Sequence, residues 1–269
     1  GINFDFIRPR ASIIKSLGVQ HPGVIKYMEI FDKISEIIVM GNNDGYLDKL
    51  QNYLPGANPV TVGKIKKILK KQARKGAMMG CLSSWHPDIE EFLKIRSTGH
   101  TIQEMSLGVC VSDEFMQKII ERDKKACSIW GKVLQKRKET GYPYIFFTDN
   151  ANKQAPKVYK DKGLKIHNSN LCTEIMLSNG VDESFVCDLS SLNLERWDEW
   201  KDTNAVELAT WFLDGILSEF IDKASKISGF ERAVRSAEKG RAIGLGVLGF
   251  HTYLQEHMIP VDSFEAFRL

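Results

Sequence analysis

Short apolar runs alternate along this chain with longer segments whose apolar residues recur every three or four positions. That alternation limits the fold more than any other feature. Between Pro22 and Met40, Val24, Ile25, Met28, Phe31, Ile34 and Ile38 fall at helical spacing, with Pro22 suited to a first turn. Gly76 to Trp85 (GAMMGCLSSW) reads as a buried strand, and His86-Pro87-Asp88 opens the helix DIEEFLKI. Met105 to Val111 is a second strand, followed by a long amphipathic helix from about Glu114 to Lys138. YPYIFFTD (142–149) reads as a buried strand ending in a polar turn, and residues 150–168 as loop. A strand from Phe185 to Leu194, a helix from Val206 to Ser225 and a basic segment from Glu231 to Arg241 follow. The chain then reaches AIGLGVLGF, a glycine-studded apolar strand or close-packed turn. Strands separated by helices throughout predict an α/β fold with largely parallel strands. Gly244, Gly246 and Gly249 resemble half a dinucleotide fingerprint, but no βαβ unit follows them, so the signal is weak.

One stretch breaks the rhythm. Residues 41–72 hold the turn signal NNDG, a short helix candidate from Tyr46 to Tyr53 and the breaker LPGANP. A basic helix candidate, TVGKIKKILKKQ, follows. There Ile65, Ile68 and Leu69 make a narrow apolar stripe and the lysines a solvated face, with a phosphate- or partner-binding surface as the alternative.

Composition removes several function classes. Lys and Arg number 37 against 34 Asp and Glu, a net charge of +3, which gives no reason to expect nucleic acid or a membrane surface as partner. No apolar run approaches the roughly 18 residues that span a bilayer. Five cysteines, Cys81, Cys110, Cys127, Cys172 and Cys187, are scattered without a CxxC pair. That spacing excludes a disulfide scaffold and a zinc site and suits a reducing cytoplasm. The six histidines form no metal-spaced cluster, so no metal site is expected.

The segment HNSNLCTEIML (167–177) carries chemistry. If it is extended, Asn170, Cys172 and Glu174 project to one side. A carboxylate that accepts a proton, an amide that orients a hydroxyl and a reactive thiol then share one small volume. On spacing alone, a Cys between Leu171 and Thr173 reads as an inert small hydrophobe.

SNLCTEI, however, resembles the finger-loop motif of the large, catalytic subunit of class I ribonucleotide reductases. Further segments resemble that family in the same order. GINFDFIRPRASI is similar to its first effector-binding loop region, and RKGAMMGCLSSWHPDIEEFL to its second, specificity-transmitting loop with the strand and helix beyond. GYPYIFFTDNAN is similar to the strand and turn before the finger loop. VCDLSSLNL matches the strand bearing a redox cysteine, and RAIGLGVLGFHTYL the glycine-rich segment after it. Only about residues 42–72 lie outside the likeness.

The resemblance implies part of a ten-stranded α/β barrel threaded by a central finger loop. Residues 1–166 would give first-half elements with an insertion at about 42–72, residues 167–177 the finger loop, and residues 178–269 the start of the second half. It implies reduction of ribonucleoside diphosphates to 2′-deoxyribonucleoside diphosphates by thiyl-radical chemistry. Cys172 would carry the thiyl radical, Glu174 would take the 3′-hydroxyl proton, and Asn170 would bond the ribose hydroxyls. Ser169 and Leu171 would complete the substrate contacts, and Cys187 would be one member of the reducing thiol pair. Arg8 or Arg10, with Arg74 and Lys75, would contact a dNTP or ATP effector. Trp85 and His86 are expected to pack or cap, and Cys81, Cys110 and Cys127 to fill the core.

Leu171 and Thr173 stand where the cobalamin-dependent class has Pro and Gly. The resemblance therefore favours class I, with no cofactor on this chain and a radical made in a separate metal-containing small subunit. It also implies thioredoxin or glutaredoxin as reductant and the cytoplasm of a bacterium or a phage-infected host as the setting. The opening GINFDF reads as the middle of a strand and loop. No cysteine precedes it to pair with Cys187, and neither the relay tyrosines nor the shuttle cysteines of the family follow. Three explanations stand open, a naturally split subunit, a piece of a longer chain and a degenerate relic; the intact NxCxE trio favours the first, which would need complementary large-subunit fragments. The rival is a non-catalytic nucleotide-binding or assembly protein that retains the fold.

Overall fold

The computed structural model describes residues 1–39 and 76–269. The helix candidates at Tyr46 to Tyr53 and 61–72, the proposed insertion, Arg74 and Lys75 lie outside the described residues. The chain divides into two compact units, Gly1–Leu177 and Ser178–Leu269.

The first unit is built on four parallel strands in the order β1 (Ile2–Asn3), β4 (Met79–Ser83), β5 (Ser106–Val111) and β6 (Tyr144–Phe147). Register pairs Ile2 with Gly80, Cys81 with Gly108 and Cys110 with Phe146. Parallel strands need crossovers, and helices Val24–Val39, Ile89–Phe92, Asp113–Ile120 and Lys124–Thr140 lie between them in the chain. Side-chain alternation splits the core across the sheet. Leu82, Leu107, Val109 and Val111 face a large cluster containing Met28, Phe92, Phe115 and Ile129. Met79, Cys81, Cys110 and Phe146 face a smaller one that contains Ala151, Ala155 and Ile166. Burial on both faces explains why these strands read as continuous apolar runs.

A short antiparallel pair, β2 (Ile13–Ile14) with β3 (Val19–Gln20), precedes helix Val24–Val39, while the other pairings are parallel as expected. That helix starts where two buried groups take its first amides. Asp88 accepts from Val24 N at 2.9 Å, and His21 Nδ1 accepts from Gly23 N at 3.1 Å. Gly23 has φ +87, and a Cβ there would stand 2.8 Å from both Arg10 Cβ and Asp88 Oδ2. Only glycine satisfies both the conformation and the space. Farther along the helix, the buried Asp32 accepts from the backbone of Glu104 at 3.0 Å and Met105 at 2.8 Å. It thereby ties the helix to the entry of β5.

Four expectations are corrected. The long helix from Glu114 to Lys138 is two helices, Asp113–Ile120 and Lys124–Thr140. Arg122 turns the chain at φ +60, and Asp123 caps the second helix by accepting from Ala126 N at 2.8 Å. Residues 150–168 are not all loop, because helices Thr148–Gln154 and Lys157–Asp161 occupy them. The first is so polar that only Ala151 marks its buried side, which hides the helical period. The strand expected from Phe185 to Leu194 is confined to β7 (Leu189–Asn193). Cys127 is exposed, not core; Cys81 and Cys110 are buried.

In the second unit β7 pairs in parallel with β8 (Gly244–Leu248), from Leu189 opposite Gly244 to Asn193 opposite Leu248. The crossover contains helix Trp197–Trp200, helix Ala205–Ala224 and helix Glu231–Gly240. Arg241 closes the last of these in a left-handed conformation, and its guanidinium binds Asp214 and the Ser218 hydroxyl. Helices Phe250–Glu256 and Phe264–Arg268 end the chain. Among the described residues no helix is long and apolar enough to cross a membrane.

Candidate active site

The loop 167–177 is held at its root by a residue that sequence reading passed over. Asn152, in helix Thr148–Gln154, donates through Nδ2 to Ile166 O at 2.8 Å and to Thr148 O at 2.9 Å. Its Oδ1 accepts from Ile166 N at 3.0 Å. Both backbone groups of Ile166, which is buried, are thus satisfied by one amide side chain. The signal was present in TDNAN: an Asn in a short polar helix next to a loop is a ready backbone clamp.

From there the chain crosses the inner face of the sheet. At the C-terminal ends of the strands the Cys110 thiol donates to His167 O at 3.6 Å, and the Phe6 ring meets the His167 ring edge-on. Asn168 and Ser169 follow and are fully buried. Asn168 Nδ2 donates to Ser169 O at 2.9 Å, and Ser169 Oγ donates to Asn170 O at 3.2 Å. Gly1, at the N-terminal end of β1, lies so close that a Cβ on it would collide with Ser169 O.

Asn170, Cys172 and Glu174 then fall on a tight turn, not on an extended strand. Asn170 Oδ1 accepts from Glu174 N at 3.1 Å and from Ile175 N at 3.0 Å. Asn170 N donates to Ile175 O at 3.3 Å, and Thr173 N to Asn170 O at 3.2 Å. Thr173 makes the turn at φ +68, a strained conformation for a β-branched residue. Its hydroxyl is buried without a partner. Alternation along a strand therefore does not describe this segment; the Asn170 carboxamide closes it into a turn by holding two backbone amides. Because both of its partners are backbone N–H groups, the oxygen must face them, which leaves Nδ2 as the donor that these bonds do not use. Cys172 and Glu174 are exposed, Asn170 and Leu171 half-buried. Leu171 packs against the smaller cluster.

Tyr144 borders the same region. Its ring pairs with that of Tyr142 at 5.2 Å between centroids. The Tyr142 phenol, burial and then the Cys172 thiol push the Tyr144 hydroxyl above the usual phenol range. Sequence reading had taken this residue only as part of a buried strand.

The remaining expected residues are placed as follows. Cys187 is exposed and stands two positions before β7 in the second unit. Asp188, next to it, has an Oδ2 that is buried without a partner, and desolvation raises its carboxyl above the usual range. Arg8 and Arg10 are exposed in the first unit. Arg10 lines a cleft of about 350 Å³ with Pro22, Gly23, Lys26, Asp88 and Glu91. Trp85 packs edge-on against Phe115, and His86 Nδ1 accepts from Asp88 N at 3.1 Å, as a packing and capping pair should. Among the described residues no three His, Cys, Asp or Glu side chains form a cluster able to hold a metal.

The family model described as "Ribonucleotide reductase, barrel domain" matches residues 63–125 and 118–269. The chain belongs to this ribonucleotide reductase family. A relative from Frog virus 3, a putative ribonucleoside-diphosphate reductase large subunit, is 40% identical over 219 residues, 74% of this chain and 39% of that protein. A vitamin B12-dependent ribonucleoside-diphosphate reductase of Thermoplasma acidophilum is 28% identical over 288 residues, 100% of this chain and 32% of the relative. The solved Actinobacillus ureae class Id ribonucleotide reductase alpha subunit aligns with a TM-score of 0.75 at 40% identity. That alignment covers 99% of this chain and 44% of the other. The chain thus spans well under half the length of these reductase relatives. The α/β architecture read from the sequence is that of the reductase barrel domain.

Proposed function

We propose that this chain supplies the finger-loop part of a reductase active site, and that within a complete large subunit it serves the reduction of ribonucleoside diphosphates to 2′-deoxyribonucleoside diphosphates. The observation that carries the reading is the turn itself. It is anchored at Ile166 and closed by Asn170, and it exposes a thiol and a carboxylate two residues apart. A rigid root with an exposed reactive tip is what oriented chemistry requires.

In this reading the Cys172 thiyl radical removes the 3′ hydrogen of the ribose and becomes a thiol. Glu174 takes the 3′-hydroxyl proton. The 2′-hydroxyl then leaves as water with a proton from a thiol pair, whose two members supply two electrons as they close to a disulfide, with Cys187 as one of them; Cys172 returns its hydrogen to the 3′ carbon and is again a thiyl radical. Asn170 Nδ2 faces the ribose hydroxyls while its Oδ1 keeps the turn shut. Ser169, buried with its hydroxyl on Asn170 O, and Leu171, packed on the smaller cluster, fix the substrate through the backbone shape they impose. Arg8 or Arg10 with Arg74 and Lys75 contact a dNTP or ATP effector. The radical reaches Cys172 from a metal-containing small subunit, as the non-Pro, non-Gly neighbours of Cys172 favour. Thioredoxin or glutaredoxin restores the thiols through cysteines on other polypeptide. Complementary large-subunit segments complete the site in the cytoplasm.

The test is deoxyribonucleotide formation by the large subunit that contains this segment, assembled with its small subunit. Cys172→Ser and Glu174→Gln should each reduce turnover by at least about a thousandfold. Undiminished turnover with Cys172→Ser would leave only a nucleotide-binding or assembly role.

A further inference from the structure

Two cysteines that the mechanism does not use lie against the finger loop. Cys81 on β4 and Cys110 on β5 are 1% and 5% exposed and share the inner face of the sheet. They occupy diagonal positions, because the register places Gly108, not Cys110, opposite Cys81. Gly108 opens the path between them: a Cβ there would stand 3.1 Å from Cys81 Sγ. Cys81 and Thr148 stand beside the Cys110 thiol and both act on its ionisation. The single S–H proton of Cys110 goes to His167 O at 3.6 Å, the first residue of the loop.

The surroundings decide what such a pair can do. Cys81, burial and the Asp5 carboxylate together raise the Cys110 thiol well above its ordinary value, against a weaker opposing bond from Thr148. A thiol that stays protonated is a poor nucleophile and a poor metal ligand. Redox and metal roles are both disfavoured, and a donor role remains. We propose that Cys110, backed by Cys81, is a positioning residue for Cys172: its S–H holds the carbonyl of His167 and fixes where the finger loop leaves the sheet. Asn152 secures Ile166 on one side of this point, and the buried Asn168–Ser169 pair continues on the other. The loop is thus anchored at consecutive residues before it reaches its exposed tip.

As a role toward Cys172, this rests on the reading of Cys172 as the reacting thiol. The experiment needs no turnover, so the two can fail separately. Amide hydrogen exchange over 167–170 and the alkylation rate of Cys172 are measured on the full chain carrying Cys110→Ser, Cys110→Val or Cys110→Ala. Amides of helix Lys124–Thr140 provide the internal reference. Serine keeps a donor, valine keeps volume without one, and alanine keeps neither. Relative to the reference, Cys110→Ser should stay within about twofold of the parent. Cys110→Val and Cys110→Ala should speed exchange about three- to tenfold and raise Cys172 alkylation with it. If valine protects as well as cysteine, the residue only fills space and the proposal is overturned. Should Cys110→Val not fold, Cys110→Thr takes its place; failure to protect better than Cys110→Ala overturns the proposal equally.

Discussion

Replacing Asn152 with Ala removes the one side chain that satisfies both backbone groups of Ile166. Ile166 is 2% exposed, so its N–H and C=O lose their partners in a place that water reaches poorly. Each buried group left unpaired costs about 1–3 kcal/mol, and the Thr148 carbonyl loses a third, more accessible bond. Half-exposure of Asn152 itself lets solvent recover part of this. The expected loss is about 2–4 kcal/mol, a large share of the roughly 5–15 kcal/mol that holds a typical domain together. Urea denaturation followed by intrinsic fluorescence should show a lower midpoint with little change in slope. Hydrogen exchange should locate the extra opening at 165–171, not in helix Ala205–Ala224 of the other unit. Asn152→Asp should be no better at neutral pH, because a carboxylate would face the carbonyl oxygens of Thr148 and Ile166. A loss under about 0.5 kcal/mol for Asn152→Ala would refute the claim that this amide anchors the loop.

Other substitutions test neighbouring parts of the account. Thr173→Val keeps the shape at φ +68 but removes a buried hydroxyl without a partner, so stability should rise by about 1 kcal/mol in the same titration. Asp32→Ala strips the acceptor from the amides of Glu104 and Met105 and should cost about 3 kcal/mol, with Asp32→Asn recovering part. For Asp188 the folded carboxyl binds its proton more tightly than the unfolded one, because burial opposes the charge. Its stabilising share is therefore complete below the ordinary carboxylate pKa of about 4 and is lost as pH rises through the raised value. Asp188→Asn should accordingly stabilise the protein at neutral pH and lose that advantage in acid; an equal effect at both pH values would contradict the burial argument.

What the sequence made legible follows from physical scale. Strands β4, β5 and β6 of the first unit and helix Ala205–Ala224 declare themselves through apolar pattern, because burial on one or two faces writes a pattern into many residues at once. The break at Arg122 was hidden because Asp123 caps a helix whose apolar period continues from the preceding one almost in phase. Helix Thr148–Gln154 was missed because it buries only an alanine. At the site, Asn170, Cys172 and Glu174 were identified by resemblance, but their assembly was not. An extended reading assigned the convergence to strand alternation, whereas one carboxamide holding two amides produces the turn. Asn152 and Cys110 act on backbone atoms of residues far along the chain or across the sheet. Such bonds leave no periodic trace, so a reading of apolar pattern passes over them.

The central claim is that the thiol at the tip of this turn takes hydrogen from the 3′ carbon of a ribonucleotide. The direct measurement uses 3′-deuterated ribonucleoside diphosphate with the assembled large and small subunits, comparing the parent with Cys172→Ser. The account predicts slower turnover of the deuterated substrate by the parent under conditions where hydrogen transfer limits the rate, and neither turnover nor 3′-hydrogen exchange with the serine variant. Deoxyribonucleotide formation that persists in Cys172→Ser would contradict it and place the reacting group elsewhere.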